Sequence, residues 1–362
     1  PQIDFKNALD EFFHINELES SEKAKEISPK EDEGGKMTLF YGTNRNRTTS
    51  TDINKLFGDQ LDKLKYGFCD VSIPRGHILG ELERPFKFLF IKFSEVPGEH
   101  VVLKSLDELS KEDFLNRLSK SIDNLPEKSA IVFIHGYNTT FAEAARRTAQ
   151  IAYDTPFYGI SGFFSWPSSG TIKAYLKDGE NAEASVSDLE KFIEEIVIQT
   201  KIEKLHLIAH SMGNKLLTLT LNNLADKSSF KEKLNIINQI VLGAPDIDQN
   251  VFKNNILPKF KNIGAQRTLY SSDKDKAIDL SEYIRGGLVR LGDAGESLFV
   301  SDGLDTIDAS NIKSDKVGHA YIFETKELLA DLHFLLSWGF KPEQRRLKAR
   351  KKSNLIYWLF PE

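Results

Sequence analysis

The sequence predicts an α/β fold, a mostly parallel sheet flanked by helices, with an additional β-rich segment toward the N-terminus. Three observations carry that expectation. From Ala130 onward short apolar runs alternate with helix-like segments, the rhythm of a parallel sheet covered on both faces. Runs such as Ile131-Val132-Phe133-Ile134 are apolar without interruption, as strands buried on both faces require. Before Ala130 the texture is different: short β-branched and aromatic runs separated by turn residues. The 362 residues are 40% hydrophobic and 28% charged, ordinary globular usage, with a net charge of -5. No stretch approaches the roughly 18 consecutive apolar residues that a membrane-spanning helix requires. Cys69 is the only cysteine, so packing rather than an intramolecular disulfide must hold the fold. That usage fits the cytoplasm, although a chain opening on Pro1 reads as trimmed, which leaves an export signal ahead of it open.

Residues 1–36 hold ten Asp/Glu against five Lys, so the remainder of the chain is neutral overall and is not a polyanion binder by charge. Phe5, Leu9, Phe12 and Phe13 share one face at helical spacing, which predicts a short amphipathic helix over 3–18, followed by a polar linker to Lys36. That helix docks either on its own body or on a protein partner. Strands are expected at Leu39-Phe40-Tyr41, Val71-Ser72-Ile73, Phe86 to Phe93 and His100 to Leu103, antiparallel or at an edge. In the second half, strands fall at Ile131 to Ile134, Gly162 to Phe164, Leu205 to Ile208, Ile240 to Leu242, Thr268 to Tyr270 and Thr306-Ile307. Capping boxes at Thr140/Glu143 and Ser185/Asp188 open helices between them. Lys341 to Glu362 carries seven Lys/Arg and ends in an apolar run, which reads as a solvated basic face leading into a strand that docks on the body rather than as a nucleic-acid site. The organisation is thus an acidic extension (1–36), a β-rich part (37–128), a catalytic core (129–340) and a basic C-terminal segment (341–362).

In such a sheet ligands sit beyond the carboxyl ends of the strands, where this chain is unusually polar. Ala209-His210-Ser211-Met212-Gly213 matches a nucleophile elbow in which Ala209 replaces the first glycine. Small residues are needed on either side of Ser211 because the tight turn presses those positions against neighbouring strands. The turn lifts the Ser211 hydroxyl to the positive end of the following helix, where amide groups can hold developing negative charge. A nucleophilic serine needs a base, and the base an orienting carboxylate. Of the two histidines after Ser211, His333 lies in an apolar helix and His319 in a loop after the last strand, so His319 is the expected base. Asp246, Asp248, Asp273, Asp275 and Asp308 all lie near strand ends; counting strands leaves Asp273 and Asp275. The loop His135-Gly136-Tyr137-Asn138 should supply the second oxyanion donor, which assigns the pair to the amides of Tyr137 and Met212. Gly136 and Gly213 allow the close approach, and His135 and His210 support the site. Five loop carboxylates without paired His or Cys ligands, and without calcium-loop spacing, point to no metal and no cofactor.

On these residues the chain resembles an α/β-hydrolase, and more narrowly the bacterial family known only as alpha/beta hydrolases of unknown function. The resembling segments include Phe40 to Arg45, Tyr66 to Pro74, Phe133 to Asn138, Phe164 to Ser168, the Ser211 elbow, Ala244 to Asp248 and Gly318 to Tyr321. The family's stretch after the seventh strand is similar to Tyr270 to Ala277, with its acid at Asp275. The resemblance implies a serine hydrolase with the triad Ser211, Asp275 and His319. Carboxylic esters, small or lipid-derived, are the expected substrates because their leaving groups demand least; amides, thioesters and transfer to another acceptor stay open. About twenty residues separate the sixth and seventh strands, too few for a large lid, so a short or accessible ester is expected. The rival reading is a non-catalytic scaffold that binds a partner.

Overall fold

A computed structural model describes residues 33–85, 87–88, 91–92, 95–169, 174–263, 265–312 and 321–361. The helix and linker expected before residue 33, the apolar residues Phe86, Leu89, Phe90 and Phe93, and the segment that carries His319 lie outside the described residues. The main sheet has eleven strands among the described residues. Eight run parallel: β1 (Glu33–Arg47), β6 (Ser129–Ile134), β7 (Ile160–Ser165), β8 (Lys204–His210), β9 (Ile237–Gly243), β10 (Gln266–Ser271), β11 (Asp305–Asp308) and β13 (Leu355–Leu359). β2 (Phe57–Pro74) pairs antiparallel with β1 and with β5 (Val102–Leu109), and β12 (Lys348–Lys352) antiparallel with β13. The order across the sheet is β12-β13-β11-β10-β9-β8-β6-β7-β1-β2-β5, so the Ser211 strand, β8, sits at its middle. Lys87–Phe88 (β3) and Ile91–Lys92 (β4) form a separate two-stranded ribbon rather than the single strand that the sequence suggests.

Apolar runs become strands because both faces are covered. Ile131, Phe133 and Ile208 face one core cluster, while Val132, Ile134, Leu205, Leu207 and Ala209 face the other. On the second face lie α1 (Lys111–Asp123), α4 (Val186–Gln199) and α5 (Gly213–Asp226), which contribute Phe114, Phe192 and Leu217; on the first lie α2 (Phe141–Asp154) and α7 (Lys326–Trp338), which contribute Ala145 and Leu332. Each fully buried Leu or Phe contributes about 1.5–3 kcal/mol, so the two layers are the main source of stability.

Two sequence readings change. β1 is an inner strand, antiparallel to β2 but parallel to β7, and it starts at Glu33 inside the expected linker: Gly34-Gly35 brings no side chain, and a Cβ on Gly35 would lie 2.9 Å from the Tyr153 ring. The capping box at Thr140/Glu143 forms, whereas Ser185 makes no cap, because α3 (Tyr175–Ala184) runs almost directly into α4 and Ser185 has helical geometry (φ -84°, ψ -4°). Ser185 and Asp188 instead accept from the buried Asn44 amide of β1, at 3.0 and 2.9 Å. At the far edge, Lys348, Arg350 and Lys351 of β12 are exposed while Trp358 and Phe360 pack into the core, an arrangement that keeps charge on the open edge strand. Among the described residues no helix is long and apolar enough to cross a membrane.

The segment after β2 is tied to α2 through one histidine. His77 is held between Glu83 (Nδ1, 2.9 Å) and Asp154 (Nε2, 2.7 Å), and Asp154 also accepts from the Gly80 amide at 2.8 Å. Burial opposes the charged ring, but the two carboxylates outweigh it and raise the pKa to about 9. A raised folded-state pKa stabilises fully below the unfolded value and is lost as pH climbs through the folded one. The window is therefore about pH 6.5 to 9, and a shift from 6.5 to about 9 is worth on the order of 3 kcal/mol. We expect His77→Gln to lower the melting temperature most near pH 6, with the gap to the parent closing above pH 9; thermal scans across that range measure it, and a gap independent of pH contradicts the assignment.

Candidate active site

The site is built where β8 turns into α5. Ser211 adopts left-handed geometry at φ 51°, a conformation costly for a residue with a Cβ and held here by its surroundings. Its N–H donates to Gly243 O at 2.9 Å, and its carbonyl accepts from the Asn214 amide side chain at 2.9 Å and from Asp246 N at 3.2 Å. The same Asn214 side chain donates to Gly243 O at 2.9 Å, so it clamps the elbow to β9. Crowding explains the small residues. A Cβ at Gly213 would lie 2.4 Å from His135 O, and one at Gly136 would lie 2.8 Å from the Ser211 Cβ. Ser211 and Met212 are each 1% exposed, and Met212 stands immediately ahead of α5, at its positive end.

The loop after β6 lies against this turn. His135 is fully buried, stacks on Trp166 with ring centroids 5.0 Å apart, and its carbonyl accepts from Trp166 Nε1 at 2.8 Å. Burial first, and the neighbouring Arg45 charge second, push its pKa down to about 3, so the ring is neutral. Tyr137 is half-buried, with its ring edge-on to Tyr175 at 5.4 Å. Burial, then the carboxylates of Asp246, Asp275 and Asp178, push its phenol upward. His210 packs its ring edge-on against Phe323 at 5.6 Å. Beside the loop, Phe133, His210, Phe323, Asn138 and Arg147 line a cavity of about 180 Å³.

The loop is held by groups that sequence reasoning did not single out. Arg45 of β1, 1% exposed, donates to Ser165 Oγ (2.8 Å), Gly58 O (2.9 Å), Ser168 O (2.9 Å) and Thr139 O (2.7 Å). Asp178 of α3, fully buried, accepts from Ser168 Oγ (2.5 Å), Ser169 N (3.0 Å) and Asn138 N (3.4 Å). Arg45 and Asp178 pair across the Ser168 turn rather than directly, and the carboxylate partly offsets the desolvation that pushes the guanidinium down to about 9. Arg45 closes one of the segments that carry the family resemblance and Asp178 lies in none; the role of each comes from burial, which a single sequence does not display.

The five loop aspartates separate by partner. Asp246 is buried and accepts from Tyr175 OH (2.5 Å), Ser281 Oγ (2.5 Å) and Arg290 Nε (2.8 Å), an ion-paired strut between α3, β9 and α6 (Lys276–Ile284). Asp248 caps the next helical turn through Val251 N at 2.8 Å, and Asp308 accepts from Ser310 N at 2.9 Å. Asp273 is exposed, whereas Asp275 is 2% exposed and caps α6, accepting from Ala277 N (3.1 Å) and Ile278 N (3.3 Å). The phenol of Tyr321 is pushed well up by burial and then by the charges of Asp275 and Asp308. His319 itself, the expected base, lies outside the described residues. His333 is packed in α7 with Nδ1 2.5 Å from Thr155 O, and burial holds it down to about 4. Among the described residues no group of three His, Cys, Asp or Glu is placed to hold a metal ion.

A strand-turn-helix serine in left-handed geometry, at the carboxyl edge of a mostly parallel sheet and against a His-Gly loop, defines the class of α/β-hydrolases. The chain belongs to one family of that class: residues 98–335 match the family described as alpha/beta hydrolase of unknown function (DUF900). No curated protein matches the sequence. Solved structures with a similar fold include an esterase from Pyrobaculum calidifontis (10% identity, 93% of this chain and 93% of that one, TM-score 0.33). Carboxylesterase CesB (YbfK) from Bacillus subtilis is another (9% identity, 92% and 100%, TM-score 0.35), as is the lin2722 product of Listeria innocua (11% identity, 59% and 94%, TM-score 0.34).

The contrast between Asp275 and Asp273 is directly testable. On the expectation that Asp275 is the orienting carboxylate, Asp275→Asn should lower kcat by about 10³–10⁴. Asp273→Asn should stay within about twofold, as an exposed polar substitution. Steady-state rates on one activated ester compare the two, and equal losses overturn the distinction.

Proposed function

We propose that this chain is a serine hydrolase that cleaves carboxylic esters through an acyl-enzyme on Ser211. The observation that carries the reading is the strained backbone of Ser211 at the β8–α5 turn, since a serine that merely capped a helix would need no left-handed geometry. In this reading the Ser211 hydroxyl attacks the carbonyl carbon while His319 takes its proton. The oxyanion is held by the amides of Tyr137 and Met212. The tetrahedral adduct collapses, the carbon–oxygen bond to the alkoxide breaks, and His319 returns the proton to that oxygen. Water then repeats the sequence on the acyl-enzyme, restoring Ser211. Asp275 keeps the imidazole oriented and offsets its transient charge. The cavity beside the oxyanion loop, about 180 Å³, is close to the about 150 Å³ that holds a benzene ring, so it suits a compact group rather than a long acyl chain.

A fluorophosphonate probe tests the reading. Labelling of Ser211, abolished in Ser211→Ala, is expected, together with turnover of p-nitrophenyl esters that falls steeply beyond about six acyl carbons, the size that fills such a cavity. A folded protein that neither labels nor turns over any ester would instead support a non-catalytic binding scaffold.

A further inference from the structure

The hydrogen bonds behind the oxyanion loop form a directional chain that ends on one peptide group. His135 Nδ1 lies 2.7 Å from Gly136 O, and because a carbonyl only accepts, Nδ1 carries the proton. The Gly136–Tyr137 peptide is planar and trans, so the direction of Gly136 O dictates the opposite direction of the Tyr137 N–H. The imidazole proton therefore decides which way that amide faces. A neutral ring has one proton, so Nε2 must accept. It faces Ser165 Oγ at 3.2 Å and Arg45 Nη2 at 3.4 Å. Arg45 Nε already donates to Ser165 Oγ at 2.8 Å, which turns the serine proton toward the ring. The other tautomer would set an imidazole N–H against the guanidinium and leave Gly136 O without its donor. The following peptide is fixed as well: Tyr137 O accepts from Thr139 Oγ1 at 3.0 Å while Asn138 N–H goes to Asp178, so neither plane is at liberty to turn.

We propose that Arg45, through Ser165, fixes His135 in its Nδ1-protonated tautomer, and that this tautomer holds the Gly136–Tyr137 peptide in the orientation that presents its amide to the oxyanion. All three side chains are positioning residues; none touches substrate. The inference rests on the serine-hydrolase reading of Ser211, and the tautomer itself stands independently of it.

The test uses the intact chain. Nitrogen-15 NMR of histidine-labelled protein should show His135 protonated on Nδ1. Ser165→Ala, which removes a hydroxyl and no charge, should shift His135 toward a mixture of tautomers. In kinetics on p-nitrophenyl acetate, His135→Phe should lower kcat by about 10²-fold or more, the effect of one lost oxyanion donor, with KM changed less than about threefold. His135→Asn, which returns an N–H near the Nδ1 position, should recover to within about tenfold of the parent. An Nε2-protonated His135, or a folded His135→Phe that keeps the parent kcat, overturns the proposal. Should His135→Phe fail to fold, the Ser165→Ala arm decides: an unchanged tautomer and unchanged kcat reject it. If the parent neither labels at Ser211 nor turns over ester, the hydrolase reading fails while the NMR result still judges the tautomer.

Discussion

One buried guanidinium organises the loops at the carboxyl edge of the central strands. Arg45 reaches from β1 under the loops that follow β6 and β7 and meets carbonyls or hydroxyls of Gly58, Thr139, Ser165 and Ser168. Taking a cation out of water costs several kcal/mol unless its donors are met, so the conformation of both loops is bound to the position of that side chain. Asp178 performs the complementary task from α3, accepting from backbone and hydroxyl donors of the same loops. Because the two charges share Ser168, a displacement of either loop would strand one of them. The hairpin of β1 and β2 is thereby part of the site's foundation and not an appendage to the α/β core.

Three buried carboxylates surround the elbow, and their different partners give them different work. Asp178 accepts from the loops, Asp246 is neutralised by Arg290 and braced by Tyr175 and Ser281, and Asp275 sits on the first turn of α6. Tyr175 touches both Asp246 and the Tyr137 ring, so the strut and the His135–Tyr137 loop share a wall. Satisfied carboxylates of this kind rigidify a polar interior, whereas unpaired ones would be costly. Among the described residues these carboxylates are not grouped so as to hold a metal ion.

Close approach is the second constraint on the elbow. Gly136 and Gly213 stand where a single added carbon would collide with Ser211 or with the His135 carbonyl, and Ala209 stays within the core of the sheet. The elbow is thus squeezed between β6 and β9, and the strained serine is held by hydrogen bonds from its own backbone to Gly243 and Asn214. Packing pressure and hydrogen bonding together maintain a geometry that the isolated turn would relax.

The sequence by itself determined the α/β class, the strands from Ile131 to Ile307, the capping box at Thr140 and the elbow at Ser211, because periodicity, turn chemistry and small-residue spacing are local properties of the chain. Position narrowed the expected acid to Asp273 or Asp275, and the family resemblance singled out Asp275. The tertiary structure decided the rest: that Asp275 is buried while Asp273 is exposed, that Asp246 is spent on Arg290, that Ser185 serves Asn44 instead of capping α4, and that β1 is an inner strand. It alone revealed Arg45, Ser165, Ser168 and Asp178 as the support of the His135–Tyr137 loop. Their partners lie as many as 123 residues apart, and the free energy of such contacts depends on desolvation and direction, which exist only once the chain is packed.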